Sequence, residues 1–187
     1  MLSKDQLRQE IFKKRAALTD DYRQAAQAKV YDQLFDLDVF KKAKTIMVYY
    51  STPEEFNTHP IIEKAWQEGK RVGIPRVFPK RVMEALEYTS DSQLKNSKFD
   101  IPEPSLASPV IDPESIDLII MPCVSCNNQG ERIGYGGGYY DRYLLRAKNA
   151  YFLLPYFAKL QSQEIPKEEH DQKVDLVITE EGTFKIS

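Results

Sequence analysis

Ile116-Asp117-Leu118-Ile119-Ile120-Met121-Pro122 carries an unbroken apolar run, Leu118 to Met121, closed by a proline. A strand without alternation must bury both faces, as happens in the middle of a parallel sheet covered by helices. Thr45-Ile46-Met47-Val48-Tyr49-Tyr50 has the same β-rich character and reads as a buried first strand. Arg71 to Val77 is a shorter candidate that Pro75 is expected to end or to place at an edge. Val82 to Tyr88 alternates, with Met83 and Ala85 on one face and Val82, Glu84 and Leu86 on the other. Toward the C-terminus, Tyr151 to Leu154 and Val174 to Thr179 supply two more strands.

Helical segments fall between these strands. Ser3 and Gln6 resemble a capping box, and Leu7, Ile11 and Leu18 give a first helix to about Leu18. Thr19 or Asp20 caps a second, with Ala25, Ala26, Val30, Leu34 and Phe35 inward. Thr58 is placed to cap a third, with Pro60 in its first turn, Ile61, Ile62, Ala65 and Trp66 inward, and Gly69 at its end. Thr89 to Pro113 is polar and proline-rich and reads as a long covering loop. Helices alternating with buried strands predict an α/β domain with a mostly parallel sheet.

The chain has 187 residues, 42% apolar and 29% charged, with no shift in composition, which predicts a single domain over residues 1–187. Its longest apolar run, near Asp117 to Val124, is too short to cross a bilayer, and charges occupy the N-terminus where a signal peptide needs an apolar stretch. A soluble cytoplasmic protein with no membrane partner is expected. Net charge is −2 with both signs interspersed, so no extended basic face awaits nucleic acid and any anion site is local.

That local site is expected at Arg132-Ile133-Gly134-Tyr135-Gly136-Gly137-Gly138-Tyr139-Tyr140-Asp141-Arg142, which holds four of the eight glycines and leads into an apolar-periodic segment from Tyr139 to Ala147. Glycines leave backbone N–H groups open to an anion. Tyr139 stands where the dinucleotide fingerprint has its last glycine, and no Gly-Lys-Ser or Gly-Lys-Thr closes a Walker A loop. A glycine turn that merely lets a helix pack on a strand is the structural alternative. Arg132 and Arg142 as charge-assisted donors, and Asp141 as a hard carboxylate suited to magnesium, favour phosphate. Lys4, Arg8 and Arg15 share one face of the first helix, which alone would be a solvated basic face. Cys123-x-x-Cys126 follows the central strand, so a thioredoxin-like redox pair competes with two reduced thiols in a loop.

Together these pieces closely resemble the 5-formyltetrahydrofolate cyclo-ligase family, also called 5,10-methenyltetrahydrofolate synthetases. The resemblance rests on Lys4-x-x-Leu7-Arg8, Glu54-Glu55-x-x-Thr58, Ile74-Pro75-Arg76, Phe99-x-Ile101-Pro102-Glu103-Pro104, Asp117 to Pro122, the glycine-tyrosine segment from Gly130 to Arg142, and His170-Asp171-x-x-Val174-Asp175. It implies a three-layer α/β/α fold of the sugar-phosphate isomerase and CoA transferase type. It also implies ATP- and magnesium-dependent conversion of 5-formyltetrahydrofolate to 5,10-methenyltetrahydrofolate, through a phosphorylated imidate, with release of ADP and phosphate. A nucleotide- or sugar-phosphate-binding protein of the same fold without ligase chemistry is the alternative.

Carried over residue by residue, the resemblance assigns Lys4, Arg8 and the run Arg132, Ile133, Gly134, Tyr135, Gly136, Gly137, Gly138, Tyr139, Tyr140 and Asp141 to ATP. Asp141 becomes the magnesium ligand and Glu55 the acceptor for the pterin edge. Met83, Phe99 and Tyr139 become walls of an apolar folate pocket, and Arg76 and Arg132 become catalytic cations. Some family members carry Arg and Lys where this chain has Tyr135 and Gly137, so Lys4, Arg8 and Arg76 are the expected substitutes. Small-molecule substrates and a monomer, with a homodimer as the alternative, complete the expectation.

Overall fold

The computed structural model describes residues 1–187. In chain order it contains α1 (Lys4–Ala16), α2 (Asp20–Asp36), α3 (Asp38–Lys42), β1 (Thr45–Val48), α4 (His59–Gln67), β2 (Arg71–Phe78) and β3 (Val82–Glu87). Short strands β4 (Leu94–Asn96), β5 (Pro102–Pro104) and β6 (Val110–Ile111) follow, then β7 (Leu118–Ile120), β8 (Ser125–Cys126), β9 (Arg132–Ile133), α5 (Tyr139–Leu144), β10 (Tyr151–Pro155), β11 (Leu176–Thr179) and β12 (Gly182–Lys185).

An eight-stranded sheet runs in the order β12-β11-β10-β7-β1-β2-β3-β6. Strands β11, β10, β7, β1 and β2 are parallel to their neighbours in that series, whereas β12, β3 and β6 join antiparallel at the two ends. The run that predicted a doubly covered strand is β7, where Leu118, Ile119 and Ile120 are all 0% exposed. Asp117, the charged residue just before it, accepts the backbone N–H groups of Lys44 and Thr45 at 2.9 and 3.0 Å. Helices flank the sheet, and one buried cluster spans it from Ala26 on α2 to Ile178 on β11. A second, small cluster of Leu7, Ile11, Val124, Ile133 and Ile165 fastens α1 to β9 and to the segment before β8.

Three expectations about elements change. Pro75 neither ends β2 nor sits on an edge strand: pairing with β1 stops at Gly73, while Pro75 is paired with Ala85 on β3. A proline is tolerated there because the β1 side of the strand is already open. The covering loop from Thr89 to Pro113 contains β4 and β5, which pair with each other, and β6, which extends the main sheet. Thr58 does precede α4, but its hydroxyl makes no capping bond and donates instead to Tyr49 O at 2.6 Å. That bond draws the loop after β1 back onto the strand it leaves.

Candidate active site

The carboxyl ends of the central strands open into a cavity of about 1170 Å³. Its walls come from α1, the loop after β1, β2 and β3, the β4–β5 hairpin, the glycine loop after β9, and the segment around His170. Ligands gather outside strand carboxyl ends in open α/β sheets, so the position follows from the topology.

The glycine loop starts from the β8–β9 hairpin, where Ser125 pairs with Ile133 and Cys126 with Arg132. Gly136 (φ +101°) and Gly138 (φ +72°) occupy backbone conformations that side chains disfavour, which is why the loop can reverse so tightly before α5. The amide N–H groups of Gly134 to Gly138 find no acceptor in the protein. Arg8 Nε donates to Gly134 O at 2.8 Å, so α1 is tied to the loop across most of the chain. Arg132 is 8% exposed, donates to Asp141 Oδ1 at 3.3 Å, and keeps a buried Nε without a partner. An unpartnered buried guanidinium donor beside a run of free amides is the donor set that an anion cradle needs.

Asp141 Oδ1 also accepts the backbone N–H of Gln172 at 3.1 Å, which brings the C-terminal segment to the loop. In that segment Lys4 Nζ donates to Asp171 Oδ2 at 2.7 Å and to Glu168 Oε2 at 3.1 Å. Burial pulls the Lys4 ammonium down, but its bonds to Asp171 and Glu168 outweigh this and hold it above the ordinary lysine value. Burial pushes the Asp171 carboxyl up, yet the bonds from Lys4 and the Glu168 N–H prevail and hold it below the ordinary aspartate value. Carboxylates such as those of Asp141 and Asp171, beside the free amides of the glycine loop, are the hard oxygen donors that suit Mg²⁺.

On the opposite wall, Glu55 Oε1 accepts the N–H and the hydroxyl of Thr52 at 2.9 and 3.1 Å, and Glu55 Oε2 accepts the Tyr135 hydroxyl at 2.9 Å. A carboxylate offers about four acceptor positions, so one on Oε2 stays open. The apolar part of the cavity includes Tyr50, Val77, Met83, Phe99 and Tyr139. Phe99 is 51% exposed on the β4–β5 hairpin and meets Tyr139 edge to face at 6.1 Å. The Tyr140 hydroxyl is buried without a partner, and burial, with the Glu55 charge second, pushes that phenol far up, so it stays a donor.

Residues 1–180 match the family model described as the 5-formyltetrahydrofolate cyclo-ligase family. The chain belongs to that family. A 5-formyltetrahydrofolate cyclo-ligase from Haemophilus influenzae is 33% identical over 165 residues, covering 87% of this chain and 88% of its own. One from Mus musculus is 29% identical, covering 94% and 93%. Among solved structures, the 5,10-methenyltetrahydrofolate synthetase of Aquifex aeolicus superposes with a TM-score of 0.86 at 28% identity, over 99% of this chain and 93% of that one. The expected α/β fold with a mostly parallel sheet flanked by helices therefore holds, and this cyclo-ligase family member is an enzyme.

Within the family frame, Lys4, Arg8, Glu55, Met83, Phe99 and residues 132–141 of the expected site all face one cavity. Arg76 does not. Strand alternation points Pro75 and Val77 at the cavity and Arg76 away, where its Nη1 donates to Pro104 O at 2.6 Å. The cation that sequence reasoning passed over is Arg15, 6% exposed, which lines the cavity and donates to Tyr135 Oη at 2.9 Å and Cys123 O at 3.1 Å. Its place on the face shared with Lys4 and Arg8 was the available signal. Asp171 was also missed as a site residue, although its His170-Asp171 motif was visible. Cys123 and Cys126 are both buried, and burial pushes the Cys123 thiol well above its ordinary value. A redox nucleophile needs the reverse, a lowered and accessible thiol.

Proposed function

We propose that the enzyme converts 5-formyltetrahydrofolate to 5,10-methenyltetrahydrofolate with ATP and Mg²⁺, releasing ADP and phosphate. The observation that supports this most is a single cavity holding both a glycine loop of free amides and, across from it, a carboxylate with an open acceptor position. The first fits phosphates and the second fits an N–H edge of a pterin.

The formyl oxygen is a poor nucleophile, so this chain's task is to align it with the γ-phosphate and to neutralise charge as the phosphoryl group moves. The amides of Gly134 to Gly138 take the phosphate oxygens, and Arg132 and Arg8 add positive charge beside them. Asp141 and Asp171 would hold Mg²⁺, which would supply neutralisation of phosphate charge when bound. Glu55 receives the pterin, and its three protein bonds leave one acceptor position at Oε2 for the pterin N–H edge. Met83, Phe99 and Tyr139 cover the ring and exclude water. In the product-forming step the 10-nitrogen of the folate attacks the activated carbon, and the oxygen leaves with the phosphate. The N10 proton leaves with the departing phosphate, whose oxygens can accept it, so no histidine is required as a general base.

Purified protein given 5-formyltetrahydrofolate, ATP and magnesium should develop the near-ultraviolet absorbance of the methenyl product, one ADP per turnover. Folded protein that forms none would leave the phosphate-binding alternative in its place.

A further inference from the structure

Tyr135 stands between two parts of the cavity that the reaction must keep together. Its backbone belongs to the glycine loop, between Gly134 and Gly136, while its side chain leaves that loop and reaches the opposite wall. The ring stacks on Phe12 of α1, centroids 6.2 Å apart and planes 22° from parallel. Arg15 Nη1 donates to its oxygen at 2.9 Å, and its hydroxyl donates to Glu55 Oε2 at 2.9 Å. The direction of this relay is forced. A guanidinium can only donate, so the phenol oxygen accepts from Arg15 and the phenol proton is turned toward Glu55.

Glu55 thus has two anchors of different kinds. Thr52 holds Oε1 from within the same loop, through its N–H and its hydroxyl. Tyr135 holds Oε2 from a loop 80 residues away in sequence. The Thr52 anchor lies outside the glycine loop, whereas the Tyr135 anchor is part of that loop, whose amides have no protein acceptor. A phosphate that takes up those amides fixes the loop backbone. The rigid ring passes that order to Glu55 Oε2, the oxygen with an acceptor position still open.

We propose that Tyr135 is a positioning residue that couples the two substrate sites, making the affinity of Glu55 for the folate depend on whether the glycine loop holds nucleotide. This rests on the substrate assignment made above. Linkage makes the effect reciprocal: folate tightens nucleotide by the factor by which nucleotide tightens folate.

The test is titration calorimetry of 5-formyltetrahydrofolate with and without magnesium and the β,γ-imido analogue of ATP. In the wild-type protein the analogue should tighten folate by about fivefold or more. Tyr135→Phe keeps the ring on Phe12 and removes only the hydroxyl, and should bring that ratio to about one. Thr52→Ala removes a hydroxyl bond to the same carboxylate from outside the glycine loop. It should weaken folate with and without the analogue and preserve the ratio. A Tyr135→Phe protein that melts like wild type and keeps the wild-type ratio overturns the coupling, as does a wild-type ratio of one. Wild-type protein that forms no methenyl product overturns instead the substrate assignment beneath it, so the two failures are separable.

Discussion

At the scale of single residues, the site separates by what each carboxylate is bonded to. Asp141, with a side chain 22% exposed, faces Arg132 and the Gln172 N–H, so its charge is offset on one side and open to a cation on the other. Asp141→Asn keeps shape and acceptor but loses the charge that a hard cation needs. The half-saturating magnesium concentration should rise by about tenfold, with turnover partly restored at high magnesium. An unchanged magnesium dependence would remove Asp141 from the metal. Glu55 has no cation partner; its bonds come from Thr52 and Tyr135. Glu55→Gln should therefore weaken 5-formyltetrahydrofolate by about tenfold, since one charge-assisted bond is lost, and alter ATP less. Equal loss of both substrates would make Glu55 a structural residue. A resemblance marked both positions in sequence, and both line the cavity. Arg76 was misplaced because strand parity, not motif membership, decides which side a side chain takes, and parity depends on a register that only the fold supplies.

Among elements, α1 does the most unexpected work. Its polar face meets the site: Lys4 reaches Asp171, Arg8 reaches Gly134 and Arg15 reaches Tyr135. Its apolar face is held by the small cluster around Ile11 and Ile133, separate from the main core. Ile11→Ala should cost about 2–4 kcal/mol, because Ile11 is 0% exposed and its loss leaves a cavity in a small cluster. It should also raise KM for ATP more than KM for the folate, and equal changes would show that α1 does not organise the phosphate side. The Lys4–Asp171 pair carries a pH signature. Asp171 is held below its ordinary value, so its contribution is full above about pH 4 and is lost as pH falls through the lower folded value. Lys4 is held above its ordinary value, so its contribution is full below about pH 10 and is lost as pH rises through the folded value. Lys4→Met should lower Tm by a constant amount between those limits, the gap closing at strongly acid and strongly alkaline pH. A gap that varies near neutrality would place the pair outside the stabilising set. Helices α1, α2 and α4 were legible from their caps and apolar positions and the central strands from their unbroken apolar runs, whereas the five-residue α3 was not foreseen. Strands β8 and β9, β4 to β6 and β12 were not, since two to four residues carry no period and such strands are set by their partners.

For the molecule as a whole, the sheet is continuous from β12 to β6, and one buried cluster links α2, the sheet and the C-terminal strand. The small cluster that holds α1 is separate from that core, but Arg8 and Arg15 tie α1 to Gly134, Tyr135 and Cys123. The site nonetheless draws on residues from Lys4 to Asp171, so the two ends of the chain meet in it. If residues 1–187 behave as one cooperative domain, as expected from composition, unfolding should show one calorimetric transition with calorimetric and van't Hoff enthalpies equal. Since the cavity exists only when those distant segments are assembled, a ligand that fills it binds the native state alone. A nucleotide with magnesium at about 100 times its Kd should then stabilise the whole fold by roughly 2.7 kcal/mol, shifting the single transition upward without splitting it. The shift should shrink in Asp141→Asn at fixed magnesium. Two resolved transitions, with only one moved by nucleotide, would mean that α1 and the glycine loop fold as a unit apart from the sheet.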